Sequence, residues 1–170
     1  MTEQTQELRR LYEEVERLSS RLEELDAVNA VRETLLDYTF YHDRGLSDQL
    51  AELFTADAEL DIIGFGEGLD TVIEGREAIR NMYRQIDAGS DGPPPYKHAI
   101  TNLRIDIHGH QAVASSYLLD WGGAATDRGP GGSVYHERLI KQADGRWLIK
   151  RKRIVCTANL TVDAVLSVEI

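Results

Sequence analysis

Residues 87–95, Asp-Ala-Gly-Ser-Asp-Gly-Pro-Pro-Pro, separate two parts of the chain that differ in hydrophobic periodicity. Proline and glycine at this density interrupt both helices and strands. Before this segment apolar residues recur mainly at helical spacing, and after it only strand signals follow. An order in which helices are followed by a meander of long antiparallel strands is typical of an α+β domain. The sequence therefore predicts a curved antiparallel sheet that wraps around helices and leaves a pocket.

The predicted elements on either side of this break are as follows. After it we expect four long strands, at 96–107, 112–121, 133–142 and 146–160. Before it we expect a helix that starts at Asp26 or Asn29 and ends at Gly45, a short helix from Ser47 to Phe54, a turn at 54–58, a strand at 59–63, a brief strand at 72–73 and an amphipathic helix after Arg76. We divide the chain into an N-terminal amphipathic helix (1–26), an α+β domain (27–160) and a C-terminal tail (161–170).

The N-terminal segment carries apolar residues at alternating spacings of three and four. They are Leu8, Leu11, Val15, Leu18, Leu22 and Leu25. This is the a/d pattern of a coiled coil, although three heptads are barely enough for one. Two alternatives stay open, a helix that packs on its own domain and a helix that pairs with the same helix of a partner subunit.

Charge and cysteine usage restrict the partners and the compartment. The net charge of −10 argues against a nucleic-acid or anionic-membrane partner. The one basic run, 150–153, lies in a predicted strand, so its side chains divide between two faces, and we interpret them as a solvated strand face. Cys156 is the only cysteine, and no segment is an apolar signal or membrane span. We therefore expect a cytoplasmic protein with no membrane partner.

The end of the helix before Gly45 combines polar and apolar side chains. The run Leu-Leu-Asp-Tyr-Thr-Phe-Tyr-His-Asp at 35–43 places a phenol, an imidazole and a carboxylate among apolar neighbours, which costs free energy unless these groups are paired. On a regular helix Tyr38 and Asp43 lie about 140° apart, so both line one pocket only if the helix unwinds near Asp43. His42 is expected to face the other side of the helix from Asp43.

Three motifs occur in an order that identifies a family. They are Leu-Phe-Thr-Ala-Asp-Ala at 53–58, Glu-Gly-Arg-Glu-Ala-Ile at 74–79 and Asp-Gly-Arg-Trp at 144–147. Over roughly residues 26–157 the chain resembles the SnoaL-like branch of the nuclear transport factor 2-like superfamily. The resemblance implies a cone-shaped α+β half-barrel with a deep apolar pocket, commonly assembled as a homodimer or homotrimer. The superfamily includes dehydratases, ketosteroid isomerases, polyketide cyclases and non-enzymatic binders, so the fold alone does not decide the function.

Candidate catalytic residues follow from similarity to the lyases of this superfamily. Tyr38 to Asp43 resembles the Tyr-x4-Asp of bile acid 7α-dehydratase, and His98 and Asp120 match its later strand residues. Lindane dehydrochlorinase has a similar Asp–His pair. The late-strand arginine of the bile acid enzyme falls on Cys156, so specificity for a steroid acid is not implied.

The chemistry of these residue types suggests their roles. Histidine titrates near pH 7 and suits a base that removes a proton from carbon, and a carboxylate on its other nitrogen fixes the tautomer. We assign the base to His98 and the orienting role to Asp43. Tyr38 and Asp120 are the expected polar contacts to substrate. An aldol-type cyclase or a ketosteroid-type isomerase would instead use Asp43 or Asp120 as the base.

A further set of residues is expected to line the substrate pocket, and most of its members are aromatic. They are Tyr41, Phe54, Tyr83, Tyr117, Trp121 and His136. His136 is a candidate second donor because scytalone dehydratase uses two strand histidines. Such a lining suggests a small, hydrophobic, ring-bearing substrate, although packing of the core accounts for the same residues.

No spacing in the chain forms a metal or nucleotide motif, so we expect chemistry without a metal or other cofactor. The prediction is a small-molecule dehydratase or other lyase, or an isomerase, with a His–Asp acid–base pair. The alternatives are a polyketide cyclase, a non-catalytic ligand-binding protein, or an accessory subunit like the small subunit of ring-hydroxylating dioxygenases.

Overall fold

The computed structural model describes residues 3–66, 68, 70–89, 96–122 and 131–157, and the predicted tail at 161–170 lies outside them. Within these ranges the chain forms three helices and six strands, and the last four strands follow the last helix. The elements are α1 (Glu3–His42), α2 (Ser47–Ala51), β1 (Phe54–Ile63), β2 (Thr71–Glu74), α3 (Arg76–Ala88), β3 (Tyr96–His108), β4 (Gln111–Gly122), β5 (Gly131–Lys141) and β6 (Trp147–Cys156). The predicted α+β order is confirmed.

The six described strands form one sheet in the order β2-β1-β6-β5-β4-β3. Strands β3 to β6 are the predicted antiparallel meander. Strand β1 joins the far side of β6 in parallel, and β2 pairs antiparallel with β1. Because β2 and β3 are the two edges, the sheet remains open.

The sheet curves around α1. That helix contacts both β3 and β6, which are separated by two strands in the sheet order. Register shifts interrupt the ladders between Thr101 and Arg104 and between Arg138 and Leu139, and bulges of this kind bend strands. Asn102, inside the first shift, has a positive φ of 51°. The concave face of this half-barrel therefore holds the helix.

The core forms where one face of α1 meets the concave face of the sheet. Val31, Leu35 and Tyr38 lie at helical spacing and are buried, and Ile79 and Tyr83 of α3 pack against the same cluster. Other buried members are Leu50, Phe54, Leu60, Leu118, Tyr135, Leu139, Trp147 and Ile149. The Thr34 hydroxyl donates to the Trp147 carbonyl at 3.0 Å, which attaches the helix to β6.

Helix α1 is continuous, so the predicted new start at Asp26 or Asn29 is wrong. Glycine and proline are both absent between Glu3 and His42, and an isolated capping residue does not interrupt such a helix. Every side chain from Gln4 to Asp26 is exposed, so this half of the helix does not pack on its own domain. The helix ends at His42, three residues before the predicted glycine.

The segment after α2 also differs from the prediction. Strand β1 begins at Phe54, where a turn was expected, and α2 ends at Ala51. The Ile149 N–H donates to the Leu53 carbonyl at 2.8 Å, and Phe54 is in register with Ile149, so pairing with β6 draws this segment into the sheet. The predicted strand around Val72 is confirmed as β2. Among the described helices none has the length and apolar content needed to cross a membrane.

Candidate active site

The predicted base, His98, is in direct contact with its predicted orienting residue, Asp43. Asp43 Oδ1 lies 2.6 Å from His98 Nδ1, and the His98 backbone N–H donates to Asp43 Oδ2 at 3.1 Å. The two side chains are only 11% and 9% exposed. One carboxylate thus holds both the ring and the main chain of the histidine.

The fold brings this pair together at one end of the half-barrel. Asp43 is the first residue after α1, and its N–H still donates to the Thr39 carbonyl at 2.9 Å. His98 is near the start of β3, and the neighbouring Lys97 donates from Nζ to the Asp43 carbonyl at 3.0 Å. Asp43 and His98 therefore meet where the end of α1 lies against the first residues of β3.

The contact determines what His98 can do chemically. An ionised carboxylate only accepts hydrogen bonds, so a neutral imidazole in contact with one carries its hydrogen on Nδ1 and its lone pair on Nε2. An imidazole in this tautomer can accept a proton on Nε2 while the carboxylate stabilises the imidazolium. The arrangement is suited to a general base with a fixed direction of attack.

His42 lies against this pair, although the sequence led us to expect it on the other side of the helix. Its ring centroid is 4.9 Å from that of His98 and 5.1 Å from that of Tyr83. Burial, followed by the charge of His98, lowers the pKa of His42 to about 4. His42 is therefore neutral at pH 7. Its position one helical turn after Tyr38 is the signal that could have placed it on the core face.

Tyr38 and Tyr83 form a buried hydroxyl pair beside these histidines. Their hydroxyl groups share a short hydrogen bond, and their rings meet edge to face with centroids 6.1 Å apart. Burial raises the pKa of Tyr38 well above its ordinary value. Tyr38 also meets the His42 ring at 6.2 Å, so it contacts the Asp43–His98 end of the core through His42 and Tyr83.

Asp120 lies beside His98 on the neighbouring strand. The two residues are directly opposite each other in the β3–β4 register. Residues opposite each other in an antiparallel pair project to the same face, with Cβ atoms about 5 Å apart. The structure thus groups Asp43, His98 and Asp120, which are three of the four predicted catalytic residues. The fourth, Tyr38, is separated from His98 by the ring of His42.

Two of the predicted pocket residues lie on the outer face of the sheet. Tyr117 is 53% exposed and alternates with the buried Leu118. His136 lies between the buried Tyr135 and Glu137 and is in register with Arg153. Burial and the charge of Arg153 lower the pKa of His136. The structure therefore does not bring these two side chains to the concave face.

The other predicted pocket residues are distributed around α1. Phe54 is fully buried in the core and meets Tyr38 edge to face. Tyr41 lines a separate open cleft of about 410 Å³ with Thr34 and Trp147, away from the Asp43–His98 pair. Tyr83 lies in the core, as described above. Trp121 is at the end of β4, and its side chain is outside the described part of the structure.

A buried ion pair on the concave face was not anticipated. Lys152 Nζ lies 2.6 Å from Glu137 Oε1, and each side chain is 1% exposed. The ammonium also lies over the Tyr135 ring at 3.5 Å and the Tyr38 ring at 4.1 Å. Burial raises the pKa of Glu137 and lowers that of Lys152. The division of the basic run between two faces is confirmed, but the solvated interpretation is wrong for Lys152.

The donor atoms near the pair also bear on metal binding. One ligand atom each from His42, Asp43 and His98 lie within 4.8 Å of one another. Two imidazoles and a carboxylate form a donor set used by zinc and by iron. A metal here would compete with the hydrogen bond between Asp43 and His98.

Comparisons with known proteins show the fold and the family of this chain. In fold, the chain is similar to a cystatin-like, nuclear transport factor 2-like protein from Novosphingobium aromaticivorans, at 19% identity over 89% of this chain and 96% of that one, with a TM-score of 0.71. It is also similar to a proposed scytalone dehydratase from the same organism, at 23% identity over 82% of this chain and 91% of that one, with a TM-score of 0.64.

A third similar structure is the hexachlorocyclohexane dehydrochlorinase LinA-type3 from Novosphingobium barchaimii, at 18% identity over 82% of this chain and 92% of that one, with a TM-score of 0.66. These likenesses confirm the predicted half-barrel fold. A comparison with curated protein sequences finds no significant match. The model of the SnoaL-like domain matches residues 23–153, which is most of the chain. The protein therefore belongs to the SnoaL-like domain family.

Proposed function

We propose that the protein is a small-molecule lyase of the dehydratase type, or an isomerase, with His98 as its base and Asp43 as the residue that orients it. The observation that carries this proposal is the double attachment of His98 to one carboxylate, at 2.6 Å to the ring and 3.1 Å to the backbone. A base that removes a proton from carbon needs its tautomer and its orientation fixed in this way.

The proposed step begins with Nε2 of His98 taking a proton from a carbon next to a carbonyl group. The electron pair of the broken C–H bond becomes the new carbon–carbon double bond. The leaving group departs from the adjacent carbon with the electron pair of its own bond. Where it is hydroxide, it takes up the proton that His98 removed and leaves as water, which returns His98 to its neutral form. In an isomerisation the proton is instead returned to another carbon. Asp120 and the Tyr38–Tyr83 pair are the proposed hydrogen-bonding groups for the carbonyl or the leaving group.

The residues next to the pair favour a hydrophobic substrate. Ile100 and Leu118 face each other two positions along the ladder from His98 and Asp120, so they share the same concave face. Tyr135 and Ile154, which are paired across β5 and β6, continue this surface and are buried. Polar groups at one end of an apolar wall suit a ring-bearing compound with a single oxygenated edge.

The test uses a panel of mono- and bicyclic β-hydroxyketones. Loss of water is followed by the absorbance of the conjugated ketone, and proton abstraction by deuterium exchange at the α-carbon, observed by NMR. We expect the wild-type protein to catalyse one or both reactions and His98→Gln to lose them. His110→Gln is the matched control, because His110 lies in the exposed β3–β4 turn.

Three other outcomes would contradict parts of the proposal. Equal rates for His98→Gln and the wild type would remove His98 from the mechanism. Loss of the wild-type activity in EDTA, with recovery on addition of zinc, would replace the metal-free step by a metal site at His42, Asp43 and His98. A ligand-dependent rise in melting temperature without turnover of any panel compound would favour a non-catalytic binding protein.

A further inference from the structure

The exposed half of α1 carries an apolar stripe, which we call the heptad seam. It consists of Leu8, Leu11, Val15, Leu18, Leu22 and Leu25, and these side chains are 50–59% exposed. Their alternating spacing of three and four residues averages 3.5, which is the repeat of a helix that supercoils around another helix. The spacing and the exposure are independent observations, and both point to a missing partner helix.

The heptad seam is distinct from the face with which α1 packs on its own domain. The core face begins at Ala27, about 200° around the helix from Leu25, and continues through Val31. The heptad pattern would continue at Asn29 and Arg32, which are polar and exposed. These two polar residues therefore interrupt the apolar stripe where the domain begins, on the side of the helix that faces away from that domain.

Within the described part of the chain, the helix that matches the heptad seam is α1 itself. Helix α2 has five residues, and α3 directs its apolar face into the core through Ile79 and Tyr83. A projecting helix of this length is marginally stable in water without tertiary contacts. We propose that two copies of the chain associate through their heptad seams as a parallel two-stranded coiled coil.

The parallel direction follows from two features of the surrounding surface. With Leu8 at position a, Arg21 occupies a g position and Asp26 the following e position, so in a parallel pair each arginine lies beside the aspartate of the partner copy. Leu36 and Phe40 are exposed on the same side of α1 as Leu25. They extend the apolar stripe towards the domain, where a parallel partner presents the same stripe.

The first experiment measures the solution mass of the full-length protein by light scattering or sedimentation equilibrium. Leu18→Glu places a charge in the middle of the heptad seam, and we expect it to halve the mass relative to the wild type. Ser20→Glu places the same charge on the outer f position of the same helical turn and should leave the mass unchanged. Equal masses for the wild type and Leu18→Glu would overturn the proposal.

A second experiment tests the parallel register without disrupting the seam. In a Cys156→Ser background, Leu11→Cys places two thiols opposite each other in a parallel pair. In an antiparallel pair Leu11 faces Leu22, which separates the two thiols by about 16 Å along the axis. We expect a disulfide-linked dimer on a non-reducing gel after mild oxidation. A Leu11→Cys protein that remains monomeric on the gel would overturn the parallel arrangement.

Discussion

The carboxylate of Asp43 holds the ring of His98 through one oxygen, at 2.6 Å, and its backbone N–H through the other, at 3.1 Å. These residues are 55 positions apart in the chain, so the contact exists only in the folded domain. Because two bonds to one planar group fix both position and rotation, the imidazole of His98 is held in a defined orientation.

Asp43→Asn should reduce turnover on any β-hydroxyketone that the wild type accepts. The amide can donate to Nδ1 and thereby stabilise the wrong tautomer, and it cannot stabilise the imidazolium by charge. A loss in kcat of about 10²–10⁴-fold is expected from the related role of aspartate beside a catalytic histidine. Steady-state kinetics measure it, with Asp106→Asn, on the exposed face of β3, as the control. Undiminished kcat in Asp43→Asn would show that the carboxylate has no part in the reaction.

The hydroxyl pair of Tyr38 and Tyr83 should be energetically coupled. Tyr38→Phe and Tyr83→Phe each remove the same buried hydrogen bond, at a cost of about 1 kcal/mol in the free energy of unfolding. The double substitution should therefore cost less than the sum of the two. Urea unfolding of the four proteins measures the coupling. Tyr117→Phe, at an exposed phenol, should change stability by less than about 0.5 kcal/mol, and strictly additive effects in the pair would contradict the shared bond.

Most of the fold could be predicted from local signals in the sequence. The break at 87–95 separates the helices from the meander, and the periodicities on either side of it are strong enough to define most elements. The continuity of α1 was missed because Asp26 and Asn29 resemble helix caps, whereas a cap is used only where the backbone already turns. The start of β1 at Phe54 depends on its pairing with β6, which is a long-range contact.

Part of the candidate site could also be predicted, but from a resemblance to a family and not from local signals in the sequence. Asp43, His98 and Asp120 were identified by their resemblance to family lyases, since no local pattern joins residues so far apart. The faces of Tyr117 and His136 depend on the register of β4 and β5, and a shift of one residue reverses every side chain. A charge run gives no indication that one of its members is buried with a partner, so Lys152 was not recognised.

Lys152→Met should destabilise the domain strongly, because it leaves the Glu137 carboxylate buried without its cation. Removal of one member of a buried ion pair costs about 3–5 kcal/mol. Lys150→Met is the matched control on the same strand, since Lys150 also lies 2.6 Å from its carboxylate, that of Asp57, but both side chains are exposed. The control should cost less than about 1 kcal/mol. Equal losses for the two variants in chemical unfolding would contradict an energetic role for burial.

The same Lys152→Met protein should show a specific dependence on pH. Burial raises the pKa of Glu137 above its unfolded value, so the folded variant retains a proton that the unfolded chain releases. Its deficit relative to the wild type should therefore be smallest in acid and should grow as the pH rises above about 4.5. Unfolding curves at several pH values measure this trend, and a deficit that is constant with pH would contradict the uptake of a proton by Glu137.

His42 should contribute a separate loss of stability in mild acid. Its folded pKa of about 4 lies below the ordinary value of 6.5, so between these pH values the unfolded chain binds a proton that the folded protein does not. Stability should therefore fall as the pH is lowered through this interval, by about 3 kcal/mol in total. His42→Gln removes this titration and should flatten the dependence, whereas His110→Gln, at an exposed turn, should keep it. If the unfolding free energies of His42→Gln and the wild type decline in parallel between pH 6.5 and pH 4, the proton is taken up elsewhere, and His42 is not the neutral partner that lies against His98.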